Sequence, residues 1–303
     1  MRVIFQANTS RDEYKCNLCD AHKHTVMFEE PAVFGEQFAI VKCDACGFVS
    51  TYPLPSKSFS ERLYGQDSYQ DQTISAAYCS DEDTSSADFN SVLLQLAKTS
   101  PSKGRLLDVG CGRGLFMGRA MQDGWDVYGI DPSPYAGGIA KASHGDRVRI
   151  GYFDASSFPR ASFDAITLWY VLEHVSDPRN VLAAAFEVLK PGGLIFVAVP
   201  NWHFLVIRRQ LGRLRHGRPG LVHAHEHLSQ FTSKTARAMF RKVGFDVLKE
   251  MPTSPFLVSG AAINSAKKIA HFGVRLLFQA TGRNMAGIML VGRKPTQEAA
   301  HAI

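Results

Sequence analysis

Gly104-Arg-Leu-Leu-Asp108-Val-Gly110-Cys-Gly112-Arg-Gly114 opens the stretch GRLLDVGCGRGLFMGRAMQDGWDVYGID, residues 104–131, on which the reading of the whole chain turns. The apolar run from Arg105 to Val109, with Asp108 near its end, predicts a short buried parallel strand. A tight G-x-G-x-G turn follows at Gly110, Gly112 and Gly114, and then a helical pattern (Leu115, Phe116, Ala120, Met121). A second apolar run, Trp125 to Ile130, ends in Asp131. Glycine has no Cβ, so a ligand can lie against the backbone at such a strand-to-helix turn. An acid closing the next strand, about 20 residues on, can accept both hydroxyls of a ribose.

Strand and helix patterns alternate from residue 105 to residue 200, which predicts an α/β fold with a doubly wound, mostly parallel sheet. A helix is expected from Pro132 to Ser143, and a third strand from Arg147 to Phe153, ending at Asp154. A fourth strand lies in Ser162-Phe-Asp164-Ala-Ile-Thr-Leu168-Trp-Tyr-Val-Leu-Glu173-His174-Val-Ser-Asp177-Pro178. Leu189-Lys-Pro-Gly-Gly193 reads as a turn before a fifth strand, Leu194 to Val199. Further on, Phe231 to Val243 predicts a helix with Thr232 or Ser233 as N-cap. Strands are expected near Asp246–Lys249 and Ile288–Val291.

A glycine-rich turn is shared by nicotinamide and flavin sites, where a pyrophosphate sits at the helix N-terminus. Here the last two glycines are spaced G-x-G where dinucleotide folds have G-x-x-G, and Asp108 precedes them, which suits a cationic sulfonium. LDVGCGRG, the EHV-x-DP segment at Glu173 to Pro178 and the LKPGG turn together resemble class I S-adenosylmethionine-dependent methyltransferases. The resemblance implies a seven-stranded sheet with an antiparallel edge hairpin, and S-adenosylmethionine as cofactor. It implies that Gly110 and Gly112 make room for the methionine moiety, that Asp131 holds the ribose, and that Asp108 and Gly114 also belong to the cofactor site. Asp154 would meet the adenine amino group, with Phe153 and Leu168 as apolar neighbours of the cofactor.

The N-terminal part carries a different signal. Cys16 and Cys19 form one C-x-x-C, and Cys43 and Cys46 another. Four thiolates in two such pairs suit tetrahedral zinc at about 2.3 Å per sulfur, and a four-thiolate site has no open position, so the metal would be structural. Residues 1–58 are therefore expected to be a small zinc ribbon-like module, with His22 and His24 as surface histidines. Residues 59–100 read as a helical cap or linker with a helix over Phe89 to Ala97, aromatics at Phe59, Tyr64 and Tyr69 beside Leu63, and a lone thiol at Cys79. The cofactor-binding domain would span 101–294, with a lid insertion at 201–230 and a disordered tail at 295–303. Arg208, Arg209, Arg213, Arg215 and Arg218 crowd the insertion, as a solvated basic face or as an anion-binding lid. Ile263 to Phe278 is amphipathic and basic, which fits packing on the body or peripheral contact with a membrane.

The segment His223-Ala-His225-Glu226-His227-Leu-Ser-Gln-Phe231 carries the acceptor signal. EHLSQF resembles a segment of sugar C-methyltransferases, which also carry cysteine-bound zinc, and one of ubiquinone-pathway O-methyltransferases. Either likeness places His227 facing the methyl acceptor. A hydroxyl acceptor needs a base, and imidazole is matched to that task, so His227 and then His174 are the expected catalytic residues. The quinone enzymes hold magnesium with an acid three residues before the Glu-His pair; Tyr170 stands there in this chain, which argues against a metal at Glu173 and His174. The expected function is methyl transfer to a small molecule, a sugar or a phenolic compound. The alternatives are an RNA methyltransferase and a non-catalytic zinc-dependent interaction protein. A net charge of +6 and a pI near 9.0 permit nucleic acid without requiring it. No run approaches the roughly 18 apolar residues of a membrane helix. Residues 1–16 show no signal-peptide pattern, which makes the cytoplasm the expected location.

Overall fold

The computed structural model describes residues 14–59, 82–100, 102–217, 220, 222–253 and 287–296. Its first C-x-x-C turn leads into β1 (His24–Val33) and β2 (Glu36–Cys43), and the second connects β2 to β3 (Val49–Tyr52). Helix α1 (Glu82–Thr99) precedes β4 (Arg105–Val109), α2 (Leu115–Gln122), β5 (Asp126–Asp131), α3 (Pro134–His144) and β6 (Val148–Ile150). The chain continues through β7 (Phe163–Trp169), α4 (Pro178–Val188), β8 (Leu189–Val199), α5 (Trp202–His216) and β9 (Ser229–Gln230). Helix α6 (Ser233–Val243) and strands β10 (Asp246–Thr253) and β11 (Gly287–Arg293) complete it.

Seven strands form the main sheet in the order β10-β11-β8-β7-β4-β5-β6. β4 to β8 pair in parallel, and β11 is antiparallel to both β8 and β10, as the edge hairpin was expected to be. Side chains alternate between two cores with the period of two that a strand imposes. Leu107, Ile195, Val197, Ile288 and Leu290 face Leu182 of α4 and Met239 of α6. Leu106, Leu194, Phe196, Met289 and Val291 face Leu96 of α1, Phe116 of α2 and Ala140 of α3. With both faces covered, the crevice at the carboxyl ends of β4 and β7, where strand order reverses, is left for a ligand. Ser133, Asp177, Asn201 and Thr232 cap the helices that follow four of these strands and loops.

A second sheet, β1-β2-β3-β9, joins the N-terminal strands to residues 229–230. β9 lies just after the His223–His227 segment, and its Ser229 and Gln230 pair antiparallel with Ser50 and Val49. Phe38, Ile40, Val49 and Phe59 pack with Trp202, Leu205, Val222 and Ala224 in a third core. Cys16, Leu18, Cys43 and Phe48 pack into the α4–α6 core of the main sheet.

Several local expectations need correction. The LKPGG segment is not a turn ahead of the fifth strand, because β8 begins at Leu189, opposite Phe163, and crosses the segment with a register irregularity. The third strand is shorter than expected, and α1 begins well before Phe89. Phe231 lies outside α6 and bridges to Asn201. The expected insertion at 201–230 holds helix α5 and strand β9, which pairs with β3, and neither feature bears on whether it acts as a lid. Leu63, Tyr64, Tyr69, Cys79, Arg218, the amphipathic stretch 263–278 and the tail beyond 296 lie outside the described residues. Among the described residues no helix is long and apolar enough to cross a membrane.

Candidate functional site

The turn after β4 is built by backbone geometry that only glycine adopts cheaply. Gly110 and Gly112 have φ of 71° and 53°, but their surroundings differ. A Cβ at Gly110 would lie 2.4 Å from Val171 Cγ2, whereas one at Gly112 would meet nothing within 4 Å. Gly110 is thus needed by packing, and Gly112 faces open space. Gly114 caps α2 and packs against His144.

Two acids lie under this turn. Asp108 is buried and accepts a hydrogen bond of 2.7 Å from Thr167 Oγ1. Burial, with the charge of Asp131 in addition, pushes its carboxyl up to about 7 against that hydrogen bond. Asp131, also buried, accepts from Gly112 N–H and Ser133 N–H, each at 2.8 Å, and burial raises its pKa. Two desolvated carboxylates so close favour a bound cation. Phe153 is half-buried against the main core. Asp154 is exposed, and hydrogen bonds from Ser156, with help from Ser157, hold its carboxyl below the usual range. Leu168 is fully buried in β7.

The loop after β7 brings the second group of side chains beside the first. Val171, which touches Gly110, is followed by Glu173 and His174. Ligand atoms of Glu173, His174 and His227 all lie within 4.8 Å of one another, and the His174 and His227 rings are 4.8 Å apart. Glu173 is 1% exposed, neither carboxylate oxygen has a hydrogen-bond partner among the described residues, and burial pushes its pKa up to about 8. Burial lowers the pKa of His174 and, with further help from neighbouring His174 and His223, takes that of His227 well below 6.5. His174 Nδ1 lies 3.1 Å from the Glu226 carbonyl. His223, His225 and Glu226 form an adjoining cluster, with His225 Nε2 3.3 Å from Glu226 Oε1. Sequence reasoning placed His227 and His174 but assigned no chemistry to Glu173, an acid in the otherwise apolar run Trp169 to Leu172. Tyr170, three residues before Glu173, donates to Thr253 Oγ1 at 2.9 Å.

The four cysteines converge 3.6 Å apart in the pairs Cys16–Cys46 and Cys19–Cys43. Four sulfurs about 2.3 Å from one tetrahedral ion would be about 3.8 Å apart, so the donor set fits a metal with little adjustment. Each C-x-x-C folds back on itself: Asp20 N–H donates to the Cys16 carbonyl and Gly47 N–H to the Cys43 carbonyl, both at 2.9 Å. The first turn docks beside the Glu173 loop. Arg179 donates to both Asp20 oxygens at 2.8 and 2.7 Å, and Asn17 donates to the Ser176 carbonyl at 2.6 Å.

A family model for the methyltransferase domain matches residues 83–250, more than half of the chain. The chain belongs to the class I S-adenosylmethionine-dependent methyltransferases. It is 36% identical over 111 residues to the ubiquinone biosynthesis O-methyltransferase of Xanthomonas axonopodis pv. citri, covering 35% of this chain and 46% of that one. Against the same enzyme of Aromatoleum aromaticum it is 35% identical over 106 residues, covering 33% and 45%. The chain therefore spans less than half the length of these relatives. Phosphoethanolamine N-methyltransferase 2 of Haemonchus contortus, in complex with S-adenosylmethionine, shares the fold at a TM-score of 0.52 and 16% identity, over 89% of this chain and 71% of that one. The 1,6-didemethyltoxoflavin-N1-methyltransferase of Burkholderia thailandensis, bound to S-adenosylhomocysteine, does so at 0.50 and 17%, over 88% and 99%. In this methyltransferase the glycine turn and the Glu173–His227 cluster are adjacent through the Gly110–Val171 contact.

Proposed function

We propose that this methyltransferase transfers the methyl group of S-adenosylmethionine to a hydroxyl of a small molecule, a phenolic or sugar acceptor. The observation that carries this reading is the buried Glu173–His174–His227 cluster beside the glycine turn. Asp131 would hold the ribose, Gly112 would leave room for the methionine moiety, and Phe153 and Asp154 would flank the adenine. Methyl transfer from a sulfonium is an in-line displacement, in which the protein positions two reactants and removes one proton. As the acceptor oxygen bonds to the methyl carbon and the carbon–sulfur bond breaks, the hydroxyl proton passes to His227. With its pKa lowered, His227 is neutral at pH 7 and has a lone pair to offer. Glu173, whose burial raises its pKa to about 8, takes the proton onward only when it is itself ionised, so this relay grows as pH rises through 8. The activity of the relatives, O-methyl transfer in ubiquinone biosynthesis, supports oxygen as the acceptor atom.

The four-cysteine cluster is assigned to a structural zinc ion. All four sulfurs are used, which leaves no open position for chemistry, and such thiols suit a reducing compartment such as the cytoplasm. Radiolabelled S-adenosylmethionine incubated with the protein and a fractionated cell extract tests the reaction. Label is expected in the small-molecule or lipid fraction, and a His227→Ala protein that still binds S-adenosylhomocysteine should give none. Label in RNA or protein, or full activity in His227→Ala, would overturn the reading.

A further inference from the structure

Strand β1 has one buried position, and it is occupied by a glutamate. Glu30 is 4% exposed in a strand whose other residues are all at least partly open to solvent. Its Oε1 accepts from Val222 N–H at 2.6 Å and its Oε2 from Ala224 N–H at 2.8 Å. These amides flank His223, whose φ of 57° is left-handed. A non-glycine residue there costs about 1–3 kcal/mol and persists only where its surroundings impose it. Gripping both flanking amides with one carboxylate is such an imposition. From His223 the chain turns tightly: Glu226 N–H and His227 N–H both donate to the His223 carbonyl, at 2.9 and 2.8 Å. That turn gathers His223, His225 and Glu226 and delivers His227 beside Glu173.

We propose that Glu30 is a positioning residue for the acceptor side of the active site, acting from the N-terminal sheet through the backbone of residues 222–227. The inference rests on the reading that His227 faces the acceptor. Thr51 on β3 supplies an independent contact to the same loop. Its hydroxyl lies 2.7 Å from the Ala224 carbonyl and 3.1 Å from the His227 carbonyl, and its N–H donates to Leu228 at 3.0 Å. Arg209 braces the arrangement, with its Nη1 3.7 Å from Glu30 Oε1 and 2.9 Å from the Gly220 carbonyl, and its guanidinium over the Phe28 ring at 3.8 Å. No described contact of Glu30 reaches the glycine turn, Asp108 or Asp131. The cysteine-bearing sheet thus governs one half of the site and leaves the other half to the main sheet.

Glu30→Gln separates these halves. Glutamine can accept one amide but turns its NH2 group against the other, so the grip fails without a change in size. The readouts are amide hydrogen exchange at residues 222–228, imidazole nitrogen shifts of His223 and His227 across pH, and affinity for S-adenosylhomocysteine. The expected result is exchange at least tenfold faster in the loop, His227 titrating closer to 6.5 as it becomes solvated, and affinity within twofold of the parent. Thr51→Val should move the same signals less far, and it decides the matter if Glu30→Gln does not fold. Unchanged loop exchange and histidine titration, or a parallel loss of S-adenosylhomocysteine binding, would overturn the proposal. Absence of methyl transfer by the parent protein would instead refute the acceptor assignment, while the loop measurements would still report the coupling.

Discussion

Two glycines of one turn should fail in different ways when each is replaced by alanine. Gly110→Ala puts an L-residue at φ 71°, costing about 1–2 kcal/mol. Its methyl would stand 2.4 Å from Val171 Cγ2, on a β-branched side chain with little rotamer freedom, and such overpacking adds about 1–3 kcal/mol. The total, about 2–5 kcal/mol, is a large share of the about 5–15 kcal/mol that a typical protein has. Gly112→Ala carries the backbone cost alone, about 1–2 kcal/mol, because its methyl meets no protein atom within 4 Å. That methyl would enter the space assigned to the cofactor, so affinity should fall at least tenfold, or about 1.4 kcal/mol. Urea unfolding with and without S-adenosylhomocysteine separates the two costs. Ligand at 100 times the parent Kd stabilises the parent by about 2.7 kcal/mol, and at the same concentration Gly112→Ala by about 1.4 kcal/mol or less. Equal unfolding midpoints for the two variants without ligand, or full ligand stabilisation of Gly112→Ala, would refute the assignment of roles.

Three further outcomes are expected. Asp108 and Glu173 have folded pKa values of about 7 and about 8 against ordinary values of 3.8 and 4.5, so both gain protons on folding. The stability they contribute is complete below about pH 4 and lost as pH rises through 7 and 8, at up to about 1.4 kcal/mol per pH unit for each group. Thermal melts of the ligand-free protein should therefore decline from about pH 7 to 8, above the range in which the lowered pKa values of His174, His223 and His227 raise stability with pH, and less so in Glu173→Gln; a flat parent profile there would contradict this. Methyl transfer at saturating substrates should rise through about pH 8 in the parent and lose that inflection in Glu173→Gln, whereas an inflection near 6.5 would point to an unperturbed histidine instead. Cys43→Ser, with three sulfurs left, should abolish stoichiometric zinc in elemental analysis and lower stability by several kcal/mol, part of the about 10–16 kcal/mol that a structural zinc ion contributes to zinc-finger peptides; a parent protein without bound metal would contradict the assignment.

How much could be read in advance depended on the range of the interactions. The main sheet was legible because its signals are local: a strand, a glycine turn, a helix and an acid at the end of the next strand, repeated. The start of β8 was not, because Pro191 and Gly192 normally interrupt a strand, and distant partners, Phe163 opposite Leu189 and Lys294 bonded to Gly192 and Gly193, extend it through them. The four cysteines were visible as a cluster from their spacing. Their neighbours were not, since Asn17 on Ser176 and Asp20 on Arg179 link residues with no periodic relation. Glu173 was legible as a motif residue, but its raised pKa comes from burial without a partner, a property of the assembled loop. Glu30 gave no sign at all, being an acid in a strand that otherwise reads as surface.

The pairing of β3 with β9 has a consequence for how the molecule comes into being. Ser50 leaves the ribosome long before Ser229, its partner, so the N-terminal ribbon must wait with an unpaired strand edge while strands β4 to β8 are synthesised. A contact of such sequence separation is slow to form, because the intervening loop must first be closed. Metal capture by the two C-x-x-C turns can hold the early ribbon together in that interval. Residues 222–230 are seated only once β9 has emerged, after β4 to β8 and before the edge hairpin that completes the main sheet.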